Sequence, residues 1–513
     1  MMLQINRLLV SIFLLSAVLG GWGCGKNIEI SNPNQLSEEN FWRNEKDALM
    51  GLNGVLDAFQ HNQFAGKFYR EFDNLTDNAI TISGASWAEI ESSFHTPATG
   101  RVLNAWTVYY TVINRANLLI ARVKAMPAEG ISDGARARII AEASFLRAYA
   151  YLDLTMLWGN VPFYLEPLNA FDEGGPAAQR SVIVAAMEKD LEDNIPHLPV
   201  NIPGAEKGRI GRGAAVALLG KYYLFNNEPG KAAGMLKPLM TAPYAYNLFP
   251  RFDLLFTLDG EFSAESLFEI NFVSGGIDNG ESFSIRVDTM LTPLVPQANW
   301  RPTPNLVNSF LCADGKPIQT SALYGPASPT YNAAKPYEGR DLRLRASVLT
   351  NADVTPGGKK IWAFTNNIPF APRKYFTLTS TQYNGGPQNY YMIRYAEVLL
   401  MYAEAENEAA GPNTDVYTAV NEVRRRAGVA ACPDDLTQEQ MRQYIRNERR
   451  WEFAFEHQRY FDLLRWRIAE YVIPPIGGVK VFTAPKDYLW PYPQNEMDNN
   501  PALKAQGQNE GWQ

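Results

Sequence analysis

The stretch IRNERRWEFAFEHQRYFDLLRW, residues 445–466, contains residue types that could do chemistry. Glu448, Glu452 and Glu456 stand four apart, His457 follows, and arginines surround them. Paired carboxylates one helical turn apart can share a proton or act as acid and base. Thr437 and Gln440 have the spacing of a capping box, so a helix is expected from 437 to about 466. At 100° per residue, Glu448 and Glu452 fall in the same sector as Met441, Tyr444, Ile445, Trp451 and Phe455. Two carboxylates on an apolar face must be protonated or paired, since an isolated buried charge costs several kcal/mol. Arg394, Arg424, Arg425 and Arg426 lie on the preceding helical hairpin, and Arg449 and Arg459 are i,i+3 neighbours of Glu452 and Glu456. With no histidine pattern nearby, a structural ion network is the expected role. The competing reading is an enzyme that uses the Glu448/Glu452 pair.

Other chemistry is thinly supplied. The four histidines, His61, His95, His197 and His457, form no H-E-x-x-H motif, and the chain has no G-x-S-x-G and no EF-hand loop. No catalytic residue, metal or cofactor is therefore expected. The Gly208–Gly213 loop, GRIGRG, mimics a phosphate cradle at a helix start. Ala215 stands where a Walker glycine should be and Tyr222 replaces the Ser/Thr, so a helix entry with solvated arginines is expected. A net charge of −7 argues against a nucleic-acid partner.

The elements that must position these residues are mostly helical. Helical spacing predicts helices over residues 41–60, 106–125, 136–158, 181–194, 213–226, 228–240, 394–410 and 414–427. Residues 241–392 are rich in Gly, Pro, Ser, Thr, Asn and aromatics, with strand-like runs such as 267–272. An extended tail is expected from Trp490. Small residues at Ala396, Ala403, Ala405 and Ala419 suit close helix pairs of tetratricopeptide type. Residues 1–23 read as a signal peptide, with Arg7 before a short apolar run and Gly23 before Cys24. Cleavage there would leave Cys24 as a lipidated terminus, each buried CH₂ contributing about 0.8 kcal/mol to membrane anchoring. Residues 24–513 then form one domain, with scaffold at about 37–240 and 394–470. Cys312 and Cys432 could form one disulfide, which sequence does not decide.

Residues 445–466 closely resemble the C-terminal signature of the SusD/RagB family of outer-membrane nutrient-binding lipoproteins. His457-Gln458 stands where that family most often has a glycine. Further matches run in family order: Asn32-Pro33, Glu39-Asn40-Phe41-Trp42, Phe145-Leu146-Arg147-Ala148, Gly159-Asn160-Val161-Pro162, Arg340-Asp341, Lys374-Tyr375, Arg394-Tyr395-Ala396-Glu397 and Trp490-Pro491-Tyr492-Pro493. The resemblance implies a mainly α fold, a tetratricopeptide-like superhelix of helix pairs carrying an irregular loop and short-strand region. It also implies a non-enzymatic lipoprotein on the outer face of the outer membrane. Such a protein captures oligosaccharide for a partner TonB-dependent (SusC-like) transporter; peptides or another nutrient are the alternative cargo.

The family motifs do not carry the ligand contacts. Sugar binding wants an aromatic platform flanked by amides and charged groups. In the irregular region about 241–392, Trp300, Tyr324, Tyr331 and Trp362 fit that description, and Trp87 does so in an earlier loop-like run. Trp106, Trp158, Trp451 and Trp466 sit on helical patterns and are expected to pack.

Overall fold

The computed structural model describes residues 41–61, 69, 71–82, 85–169, 172–273, 300–324, 336–354, 360, 368–375, 387–474 and 480–512. Cys24 and the leader lie outside the described residues. Helices dominate: α1 Glu45–Gln60, α2 Ala85–Glu91, α3 Gly100–Ala125, α4 Asp133–Trp158, α5 Arg180–Asn194, α6 Arg212–Phe225 and α7 Pro229–Leu236. After the irregular region come α8 Leu342–Ser347, α9 Tyr395–Ala410, α10 Thr414–Arg426, α11 Gln438–Glu452 and α12 Gln458–Arg465. Their ends follow local chemistry. Asn44, Ser132 and Asn413 cap α1, α4 and α10 with side-chain oxygens, and Thr437 and Gln440 complete the expected capping box on α11. Gly159 closes α4 at φ 69°, a conformation glycine adopts without Cβ strain.

Successive helices pack as pairs: α3 on α4, α4 on α5, α6 on α7, and α9 on both α10 and α11. α7 also packs on α9, which joins the two halves of the scaffold. Gly220 permits one close approach, since a Cβ there would meet the Leu236 side chain at 2.6 Å. From Ala141 to Trp158 every residue of α4 is buried, as expected for a helix with neighbours all round. Its charged groups are matched: Arg147 pairs with Asp190 at 2.7 Å, and Asp153 accepts from the Tyr69 hydroxyl at 2.5 Å.

The irregular region is tied down by short antiparallel pairs. β1 Ala79–Thr81 pairs with β3 Trp300–Pro302, β2 Ser266–Ile270 with β6 Tyr390–Arg394, and β4 Val348–Thr350 with β5 Phe370–Pro372. β6 runs directly into α9, with Arg394 at the junction. A cluster of Trp300, Leu306, Phe310, Leu344, Phe370, Trp451 and Phe455 packs this region against the end of α11.

Three expectations are corrected. The helix foreseen from 437 to 466 breaks between Glu452 and Gln458, where Phe455 (φ 66°) and His457 (φ 62°) adopt left-handed backbone. Buried contacts hold the break, since Phe455 packs on Trp300 and His457 on Tyr69. The tail from Trp490 is not simply extended: it forms two short helices, Gln494–Asn499 and Pro501–Gln506, the second capped by Asn500. The arginines of the 208–213 loop are only partly solvated. Arg209 bonds the carboxylate of Glu142, and Arg212 donates to the carbonyls of Leu198 and Pro196. Cys312 and Cys432 are free and buried, so the possible disulfide is not made.

Candidate functional site

Helix α11 and the turn after it place Glu448, Glu452 and Glu456 in the interior, the first two with no exposed area. Each meets a cation from elsewhere in the chain. Arg424 reaches Glu448 at 2.9 Å and Arg394 reaches Glu452 at 2.6 Å. Arg426 pairs with Glu452 and, at 2.8 Å, with Glu265. Arg343 lies 2.7 Å from Glu448 and 3.0 Å from Glu452 while bracing Asp341 at 2.7 Å. Lys374 and Arg394 both reach Glu456 at 2.6 Å. Five cations thus face five carboxylates, which leaves the buried network neutral.

This balance decides against acid–base work. Burial alone would raise the pKa of Glu452, but Arg426, Arg394 and Arg343 outweigh it and hold the carboxyl well below the usual range. A group that stays an anion across the working pH range and touches no solvent neither donates nor accepts a proton. Burial lowers the Lys374 ammonium to about 8, with Glu456 opposing that shift.

The expected partners Arg394, Arg424 and Arg426 are confirmed, whereas Arg425 is exposed. Arg449 and Arg459 do not pair with Glu452 and Glu456. They bond Asp462 at 2.8 Å and Asp77 at 2.9 Å. Arg343, Asp341 and Lys374 were missed as members of the network. Asp341 meets Arg343 only two residues on, but Arg343 reaches Glu452 over 109 residues and Lys374 reaches Glu456 over 82, separations that local pattern does not reveal.

The five aromatic candidates separate. Trp87 is 2% exposed on α2; its indole donates to Glu71, and Arg101 stacks 5.2 Å from its ring centre. Trp300 is 4% exposed on β3 and packs on Phe455. In this structure neither ring offers a sugar an open face. Tyr324 is half-buried with Arg340 over its ring at 5.7 Å. Tyr331 and Trp362 lie outside the described residues. β1 and β3 bring the Trp87 and Trp300 segments onto neighbouring backbone. Of the four tryptophans expected to pack, Trp106, Trp158 and Trp451 are buried. Trp466 is half-buried, with Arg446 and Arg465 each within 4.8 Å of its ring centre, and donates to Glu404 at 2.7 Å.

Between Trp300 and Tyr324 the chain walls a cavity of about 520 Å³, closed on its other side by α11. Tyr444, half-buried with Arg424 5.1 Å from its ring centre, supplies the aromatic surface and buried Trp451 backs it; Asn305, Asn308, Gln319 and Asn447 supply amides. The Trp451 indole is fixed by Ser309 at 3.2 Å. Arg450 is the charged group in the wall, and its charge is already met by Asp77 at 2.9 Å. Burial opposes charge on Asp77, yet Arg450 and Arg459 hold its carboxyl at about 2. The cavity is therefore aromatic, amide-rich and nearly uncharged, which suits a neutral polyhydroxylated ligand. Sequence reasoning missed it because Tyr444 and Asn447 sit on a helix while their partners sit more than a hundred residues earlier in the chain.

Comparison with known proteins places this architecture. The family model described as SusD family matches residues 264–512, and one described as "Starch-binding associating with outer membrane" matches residues 28–224. SusD-like protein P25 of Formosa agariphila is 25% identical, with 98% of each chain covered. Among solved structures, a laminarin binding SusD-like protein is 25% identical with a TM-score of 0.74, covering 91% of this chain and 100% of that one. Surface glycan-binding protein A from Bacteroides uniformis is 22% identical with a TM-score of 0.72, covering 91% and 99%. The two family models, the relatives and the shared helical scaffold together show that the chain belongs to the SusD/RagB family.

Proposed function

We propose that the chain is a glycan-binding surface protein that captures oligosaccharide or polysaccharide and delivers it to a partner TonB-dependent transporter of the outer membrane. It acts as a binding protein and not as an enzyme, with Cys24 as its lipid anchor. The observation that carries the reading is the cavity beside Tyr444, where aromatic surface and four amides surround a nearly neutral space. Aromatic rings pack on sugar C–H faces, and amides offer both a donor and an acceptor to hydroxyls. The laminarin-binding relative supports the ligand class.

Affinity electrophoresis of the soluble chain against a panel of polysaccharides tests the proposal, with a peptide mixture titrated in parallel. Retardation on at least one neutral glycan is expected. Binding of peptides with no retardation on any glycan would assign the scaffold to another cargo. The transporter step is tested separately, by co-purification from outer membranes with and without a Cys24→Ala change.

A further inference from the structure

The cavity beside Tyr444 has a charge asymmetry that capture of a neutral sugar does not require. Its wall contains Arg450 and no Asp or Glu. The carboxylate that meets Arg450 is not a wall residue, and it is shared: Asp77 also takes Arg459 at 2.9 Å. Two guanidiniums thus divide one buried carboxylate. Asp73, close by in the chain, is raised by burial to about 7, so it supplies only part of a negative charge at neutral pH. Asp314 and Lys316, on either side of Gly315 in the wall, offset each other. The small surplus of charge around the cavity is therefore positive.

The Arg450 guanidinium is fixed at two nitrogens and idle at the third. Nε donates to the Asn78 side chain at 2.9 Å. Nη2 donates to the Asp77 carbonyl at 3.2 Å and to the Asn305 side chain at 2.6 Å, and meets the Asp77 carboxylate at 2.9 Å. Nη1 has no partner among the described residues. The side chain is 10% exposed, so its position is set before any ligand arrives, and little ordering is left to oppose binding. Burial, opposed by Asp77 and aided by Arg459, lowers the group to about 10, which leaves it a cation at neutral pH. On α11, Arg450 follows Tyr444 by six residues, about 9 Å along the helix. Ring and guanidinium can therefore meet different residues of one sugar chain.

We propose that this cavity prefers glycans carrying an oxyanion, a uronate carboxylate or a sulfate ester, beside the sugar stacked on Tyr444, with Arg450 Nη1 as the donor that reads it. The inference rests on glycan capture at this cavity. Neutral chains use the same ring and amides and bind more weakly, because a charge-assisted hydrogen bond is roughly twice as strong as a neutral one. Protonated amino sugars meet a guanidinium and no carboxylate, so they are rejected.

Calorimetric titration of the full chain at low salt with matched pairs tests it. The pairs are oligogalacturonate and oligomannuronate, each against its methyl ester, and a sulfated galactan oligosaccharide against its desulfated form. At least one acidic member is expected to bind roughly tenfold tighter than its neutral counterpart, with the gain shrinking at about 0.5 M salt. A gain in a uronate pair assigns the oxyanion to a carboxylate, and a gain in the galactan pair assigns it to a sulfate. Oligomers of chitosan should give no heat. Arg450→Gln should bring the acidic-to-neutral ratio to about one, and Arg459 remains to pair Asp77 in that variant. Asn447→Asp should do the same from the exposed surface, by placing a carboxylate in the wall one turn from Arg450. Equal affinity within every pair, or a preference that survives both changes, would overturn the proposal. Neutral glycans bound without acidic preference would strike this inference and leave glycan capture standing. No glycan bound of either kind would remove both.

Discussion

Arg394 and Glu452 meet at 2.6 Å in the interior, although 58 residues separate them along the chain. The same guanidinium reaches Glu456 at 2.6 Å and Glu265 at 2.8 Å. One residue at the junction of β6 and α9 therefore joins the irregular region, the end of α11 and the turn that follows it.

Neutralising one member should unbalance the rest. Glu452→Gln leaves Arg343, Arg394 and Arg426 short of a carboxylate, and breaking a buried pair costs about 3–5 kcal/mol. Chemical denaturation should show that loss. Glycan affinity of the folded fraction should stay unchanged, because Glu452 lines no part of the Tyr444 cavity. An unchanged denaturation midpoint with lost binding would reverse the roles assigned to the two sites.

Acid should weaken the fold through its depressed carboxyls. The folded pKa of Asp77, about 2, lies below its ordinary 3.8, so its contribution is complete above pH 4 and fades as pH falls to 2. That shift corresponds to roughly 2 kcal/mol. Glu452 is shifted in the same direction and adds to the loss below pH 4.5. Melting temperatures measured from pH 5 downward should fall, and Asp77→Asn should flatten its share of the slope.

Asp73 should behave oppositely. Burial raises its carboxyl to about 7, against the hydrogen bond from Asn78 at 2.7 Å. A raised folded pKa gives stability that is present below the ordinary 3.8 and lost as pH rises through 7. Asp73→Asn should therefore gain on the unchanged chain by a few kcal/mol between pH 4 and pH 8. A stability difference that is flat across this range would contradict the assignment.

His457 holds a left-handed backbone, which costs about 1 kcal/mol for a residue with a Cβ. Its ring nevertheless packs 4.5 Å from Tyr69 and hydrogen-bonds the Tyr390 hydroxyl at 3.1 Å. His457→Gly relieves the backbone but empties a buried site, so a net loss of about 1–3 kcal/mol is expected by denaturation.

Much of the scaffold was legible because helical spacing and caps act locally. The burial of Glu448 and Glu452 followed from helical angle alone, and so did the need for arginine partners. The break before His457 was not legible: one continuous helix satisfies the local pattern, and only Tyr69, Tyr390 and Trp300, distant in sequence, decide otherwise. The same limit explains the aromatic candidates. Trp87 and Trp300 look like loop platforms in sequence, but strand pairing and a core cluster draw Trp300 inside, and Glu71, Phe72 and Arg101 enclose Trp87. Tyr444 looked like helix packing, but the end of its helix face is left open to a cavity.

The central claim is glycan recognition beside Tyr444. It is tested most directly by titrating the retarded polysaccharide's oligosaccharides into the unchanged chain, Tyr444→Ala and the double change Asn308→Ala, Asn447→Ala. Saturable binding that weakens roughly tenfold or more in both variants, each still folded, is the predicted result. Full affinity in both variants, or no glycan bound by the unchanged chain, would contradict it.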